Sequence, residues 1–203
     1  RNRVADPQFA ARLARLRAAL RAEILRTRDT GFIPEGMFPG LAGDKTIYDY
    51  AQSPAYPLER ILDLADQASD RNPAHLPAFL AALDDAHPVL RYWAATGCLI
   101  LGDQAAPAKA RLRARLADEW PDVRVAAAEA LAHLGEVEAA IEVIGAVIRT
   151  GNPHEVLAAQ NALDFLWQAG RVPLARAQSL VRDLTFAEPA DRIPRHLLNP
   201  DQP

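Results

Sequence analysis

The sequence predicts an all-α fold: an α-solenoid of paired helices, preceded by one amphipathic helix and a long ordered loop. Three observations carry that expectation. Apolar residues recur at spacings of three and four along most of the chain, the period of an amphipathic helix. Prolines or glycines stand at nearly every joint between these stretches, where helices start and stop. A motif that begins at Asp85 returns at Asp118 and again near Asn152, and a helical unit repeated at a near-constant period marks a stacked array.

Residues 8–28, QFAARLARLRAALRAEILRTR, place Leu13, Leu16, Leu20 and Ile24 on one side of a helix and arginines on the others. Asp6 is suited to cap its first amides, and Pro7 suits the first turn. Gly31 and Pro34 end it, with Gly31 expected as the left-handed residue of the terminus. From Asp29 to about Pro57 no period holds. A structureless connection of that length is uncommon in a compact domain unless it is functional or docked. Its aromatics, Phe32, Phe38, Tyr48, Tyr50 and Tyr56, argue for docking, because disordered segments are poor in them.

After Pro57 the pattern predicts helices over 58–70, 74–84, 88–101, 107–118, 121–134, 137–149, 153–168 and 172–184. DAHPVLRYWAATGCLILG (85–102) lies over DEWPDVRVAAAEALAHLG (118–135) without a gap. The overlay matches Asp85 to Asp118, Pro88 to Pro121, Arg91 to Arg124, Ala94 to Ala127, Ala95 to Ala128 and Gly102 to Gly135, all 33 residues apart. A third copy, NPHEVLAAQNALDFLW (152–167), keeps the proline, the alanine pair and the leucines, and has Val156 in place of the arginine. Each unit reads as a first helix followed by a proline-led second helix, whose small alanine face permits close packing on its neighbour. The polar, proline-rich end from Glu188 to Pro203 reads as a tail.

This unit, Asp-x-x-Pro-x-(Val/Leu)-Arg followed by an alanine pair and a Leu-Gly ending, resembles a HEAT repeat. The resemblance implies that Asp85, Asp118, Arg91 and Arg124 form a polar ladder at the turns between repeats, which stops before the third copy because Val156 replaces its arginine. It implies an architecture and no activity.

Composition excludes several classes. The 203 residues hold 23 Lys+Arg against 26 Asp+Glu, a net charge of -3, so the basic footprint of a nucleic-acid binder is missing. The same balance argues against a HEAT-like DNA glycosylase. The single Cys98 rules out an internal disulfide and any multi-cysteine zinc site. No run approaches the ~18 apolar residues of a membrane span. The chain opens at Arg1 and its only methionine is Met37, so it reads as an excised or processed piece.

The opening RNRVADPQFAARLARLRAALRAEILRTRDTGFIPEG resembles the end of the catalytic region of bacterial sulfatases, where an Asn-x-x-Ala-Asp-Pro turn precedes an amphipathic helix. In some of these, similar to heparan N-sulfatase, the helix runs into segments like Thr27–Glu35, Tyr48–Ala51 and Val89–Ala95 of this chain. The resemblance implies a C-terminal module whose sulfatase-like catalytic domain lies before Arg1, and a periplasmic or extracellular location. Calcium and formylglycine are implied only for that domain. Cys98 sits in GCLILGD without the proline and arginine of Cys/Ser-x-Pro-x-Arg, so no catalytic, cofactor or metal residue is assigned here.

The triplet Asp29-Thr30-Gly31 is how an aspartic protease presents a carboxylate, but that chemistry needs two such loops sharing a proton, and here one copy closes a helix. The five histidines never pair at i, i+3 or i+4, so metal spacing is missing. Phe32, Tyr48, Tyr50 and Trp93 are the docking candidates, and Asp44 and Lys45 are candidates to reach a partner's substrate cleft. The expected domains are 1–57, helix and docking loop; 58–184, solenoid; and 185–203, tail. Expected partners are a sulfatase-like catalytic domain or another protein, with no nucleic acid and no membrane. The alternative is a free-standing repeat scaffold that binds a protein.

Overall fold

The computed structural model describes residues 3, 4 and 6–199. Asn2 and Ala5 of the opening turn, and the tail from Pro200, lie outside the described residues. Among the described residues there is no strand. In chain order the helices are α1 (Ala10–Thr27), α2 (Phe38–Ala42), α3 (Ile47–Ala51), α4 (Leu58–Asp70), α5 (Leu76–Ala82) and α6 (Pro88–Leu101). They continue with α7 (Lys109–Arg115), α8 (Pro121–His133), α9 (Val137–Thr150), α10 (Pro153–Gln168), α11 (Leu174–Ser179) and α12 (Arg192–Leu198).

The architecture is an α-solenoid. Helices α4, α6, α8 and α10 pack side by side in one layer, and α5, α7 and α9 pack on them as the other. Each proline sits where its missing N–H costs nothing, at the first position of α6, α8 and α10. The residue before it caps the helix in two cases. His87 Nδ1 accepts the Val89 N–H at 3.3 Å, and Asn152 Oδ1 accepts those of His154 and Glu155 at 3.0 and 3.1 Å. Glu155 completes a capping box by accepting the Asn152 N–H at 2.7 Å.

Alanine makes α8 the hinge of the core. Ala126, Ala127 and Ala130 face the cluster built from α4 to α6, while Ala128 and Ala132 face the one built from α9 to α12. A helix buried on both sides needs small residues, since each extra methylene in a close-packed interior forces a neighbour to move.

Three features differ from the sequence reading. First, Arg28 rather than Gly31 is the left-handed residue that ends α1, with φ 52° and its N–H bonded toward the Ile24 and Leu25 carbonyls. Its guanidinium is tied to the Ala51 carbonyl and, at 2.9 and 3.0 Å, to those of Ser53 and Tyr56. These bonds offset a conformation that costs an L-residue about 1–2 kcal/mol. Second, residues 29–57 are not without secondary structure. They hold a 3-10 turn (Glu35–Met37), α2 and α3, each too short to show a period. Third, the expected tail contributes α12. Its Leu197 is fully buried against α10 and α11, and the Leu197 carbonyl accepts Gln178 Nε2 at 3.0 Å. Polar neighbours masked the Ile193 and Leu197 pair, one turn apart.

Candidate functional site

The segment 29–57 lies on the proline-led ends of the solenoid helices. Trp93 Nε1 donates to the Phe32 carbonyl at 2.8 Å, and the two rings sit 6.2 Å apart. Ile33 and Met37 are buried in the core. Tyr50 is buried too, and its hydroxyl lies 2.8 Å from His87 Nε2 and donates to the Ala55 carbonyl at 3.2 Å. Because His87 Nδ1 accepts from Val89, its proton sits on Nε2 and is given to Tyr50. Burial holds the His87 pKa below its ordinary value. Tyr56 donates to the Asp29 carbonyl at 2.6 Å.

Two glycines let this segment come close. A Cβ on Gly36 would stand 2.6 Å from Asp122 Oδ2 and from Glu155 Cγ, and one on Gly40 would stand 2.6 Å from the Trp120 ring. Asn152 Nδ2 donates to the Gly36 carbonyl at 3.0 Å, a bond across 116 residues. Trp120, Asn152 and the two glycines were not singled out in the sequence; an Asn before a proline-led helix was the one available signal.

Tyr48 corrects the expectation. It is 66 % exposed, on the outer side of α3, and does not pack on the solenoid. Asp44 and Lys45 are exposed between α2 and α3. The Asp29 carboxylate accepts the Gly31 N–H at 2.8 Å, a local turn bond and no protease site.

At the ladder positions, Arg91 gives Nε and Nη2 to the two Asp118 oxygens at 2.7 and 2.8 Å, with both side chains nearly fully buried. Its Nη1 reaches back to the Asp85 and Ala86 carbonyls, both at 3.0 Å. Arg124 repeats the backward part, with Nη1 2.7 Å from the Asp118 carbonyl. The Asp85 carboxylate corrects the expectation: it pairs with Arg60 at 2.5 Å and not with Arg91. The sequence carried that signal, because Pro57-x-x-Arg60 repeats Pro88-x-x-Arg91 31 residues earlier, so α4 is an unrecognised member of the same series. Arg124 finds no carboxylate ahead of it because Thr150 stands where the next aspartate would be.

One groove opens on the exposed face of α6, α8 and α10, with a volume of ≈ 340 Å³. Leu99, Val125, Leu157 and Phe165 line it with Asp122, Glu129 and Glu35. Burial pushes the Asp122 carboxyl up to about 6, helped by the nearby Glu155, and pushes Glu129 up to about 7.

Cys98 is buried with its thiol pushed up to about 12, and no group of three or more His, Cys, Asp or Glu among the described residues could hold a metal ion. No helix among them is long and apolar enough to cross a membrane.

Comparison with known proteins finds one likeness, within the repeats. Residues 76–164 match the family described as HEAT repeats. The match begins with α5 and ends inside α10, so it spans three proline-led helices and their partners. No curated protein and no solved structure matches the chain. That match and the stacked helices fit a helical-repeat scaffold, an architecture suited to protein interaction.

Proposed function

We propose that the chain is a non-catalytic helical-repeat module of a sulfatase-like sulfuric ester or sulfamate hydrolase, and that it holds the hydrolase domain through α1 and the segment after it. The observation that carries this reading is the face of α1. No residue of that helix is buried, and Leu16 and Leu20 are 58 % and 62 % exposed although they belong to an apolar stripe. A stripe left open on a helix that the repeats do not need is the mark of a second surface. Tyr48 lies exposed on α3, in the segment that follows α1. Asp44 and Lys45, on the turn before it, are the groups in reach of that domain's substrate cleft.

The test is the coding sequence upstream of the Arg1 codon. A Cys/Ser-x-Pro-x-Arg motif in the same reading frame is expected, and an upstream region without one sinks the sulfatase assignment. In that event the scaffold reading remains, with a protein partner on the face of α6, α8 and α10.

A further inference from the structure

The groove on α6, α8 and α10 has a chemistry that specifies its occupant. Its acidic side is formed by Glu35, Asp122 and Glu129, and no lysine or arginine lines it. The Arg124 guanidinium is bonded to the Asp118 carbonyl and not to a groove carboxylate. Asp122 is only 4 % exposed, yet its Oδ2 has no hydrogen-bond partner. Gly36 covers that oxygen, so Asp122 lends the groove floor its charge and the half-buried Glu129 is the carboxylate within reach. Glu129, one helical stretch further along α8, forms no ion pair either. His154 sits at the mouth, 2.9 Å from Glu35.

The opposite side is apolar. Phe165 is 56 % exposed at the rim, and Leu99, Val125 and Leu157 lie beside it. A small inorganic cation would use only half of such a site. So would a purely basic chain.

We infer that this groove binds a cationic amphipathic segment of a partner protein, one that sets an arginine or lysine against Glu129, above the buried Asp122, and an adjoining large apolar side chain against Phe165. Charge complementarity chooses the sign of the partner, and the unburied aromatic chooses its second residue. The inference does not use α1 and stands apart from the sulfatase assignment, so either can fail alone.

The experiment is fluorescence anisotropy with the whole 203-residue chain and a labelled peptide in which leucines alternate with pairs of arginines. Saturable binding is expected, weakened about tenfold by Phe165→Ser and by Glu129→Gln, a loss of ~1.4 kcal/mol each. Ala158→Arg, which puts a cation on the groove wall, should abolish it. Phe165 is on the surface, so its variant keeps the fold, and the circular dichroism melt of each variant verifies that. Equal binding by all three variants overturns the proposal. So does equal binding of an arginine-only peptide, which would mean nonspecific charge attraction, or of a leucine-glutamate peptide.

Discussion

Arg91 and Asp118 form a two-pronged ion pair between adjacent repeats, 2.7 and 2.8 Å long, with side chains only 7 % and 1 % exposed. Each partner is also fixed within its own turn. Arg91 holds the Asp85 and Ala86 carbonyls, and Asp118 accepts the Trp120 N–H at 3.1 Å. Removing Asp118 would strand a desolvated guanidinium, whereas removing Arg91 leaves Asp118 with Arg115 Nη1 at 3.3 Å. Asp118→Ala should therefore cost about 3–5 kcal/mol in chemical denaturation, and Arg91→Ala less. Arg60→Ala, which breaks a pair that is 62 % exposed on the arginine side, should cost no more than about 1 kcal/mol. Equal losses at the two rungs would show that burial does not set the difference.

A second expectation concerns close packing. A Cβ on Gly97 would stand 2.7 Å from the ring of Phe79, which is fully buried between α5 and α6. Alanine in mid-helix should gain about 1 kcal/mol over glycine, and overpacking a rigid core should cost about 1–3 kcal/mol. Gly97→Ala is expected to be net destabilising, and Gly97→Ala with Phe79→Leu should recover most of the loss. A single variant with a raised melting temperature would refute the tight-contact argument.

The fold was legible in the sequence because the repeats are: the proline, alanine and leucine positions of α6, α8 and α10 could be aligned by eye. The match to α4 escaped because only Pro57 and Arg60 survive of the motif, without its aspartate or alanine pair. What lies on the groove was not legible. Asp122 and Glu129 look like ordinary helix-surface carboxylates in one dimension, and only the approach of Gly36 and the neighbouring helices buries them. Tyr48 and Tyr50 could not be told apart either, since α3 is too short for a period to assign its faces.

Cys98 should be chemically inert in the folded chain. Its thiol is buried and pushed up to about 12, so the thiolate that reacts is scarce at neutral pH. Iodoacetamide is expected to label it only after denaturant is added. The purified chain should also show no turnover of aryl sulfates or sulfated glucosamine with calcium present, and turnover that disappears in Cys98→Ala would reverse this assignment.

Stability should carry a signature of Asp122. Its folded-state pKa is raised from 3.8 to about 6, so the folded chain holds this proton more tightly than the unfolded chain does. Its contribution is therefore fully present at low pH and is lost as pH rises through about 6. Asp122→Asn cannot lose it. The stability of the variant relative to the parent should rise by up to about 3 kcal/mol between about pH 4 and pH 8, then level off. Parallel stability curves would show that this carboxyl does not titrate abnormally.

The sharpest test of docking is at Gly36. The 3-10 turn it belongs to is held from two sides, by Asn152 through a 3.0 Å bond and by the floor of Asp122 and Glu155, where a Cβ would intrude at 2.6 Å. Both neighbours belong to the starts of α8 and α10; α8 is buried on both sides and α10 is held by its capping box, so neither backbone yields readily. Gly36→Val should thus lift the turn away instead of distorting the solenoid. Ordering this segment costs about 1–2 kcal/mol per residue in backbone entropy, which is met by burying Ile33, Met37 and Tyr50. The substitution should raise amide exchange at residues 33–42 by at least about tenfold, equivalent to ~1.4 kcal/mol of local stability, while the amides of α8 keep their protection. Tyr50 and Tyr56 are anchored separately through His87 and the Asp29 carbonyl, so residues 46–56 should exchange as before. Loss of protection throughout α8 would mean that the turn is part of the solenoid's core; no change anywhere would mean that it is not docked at all.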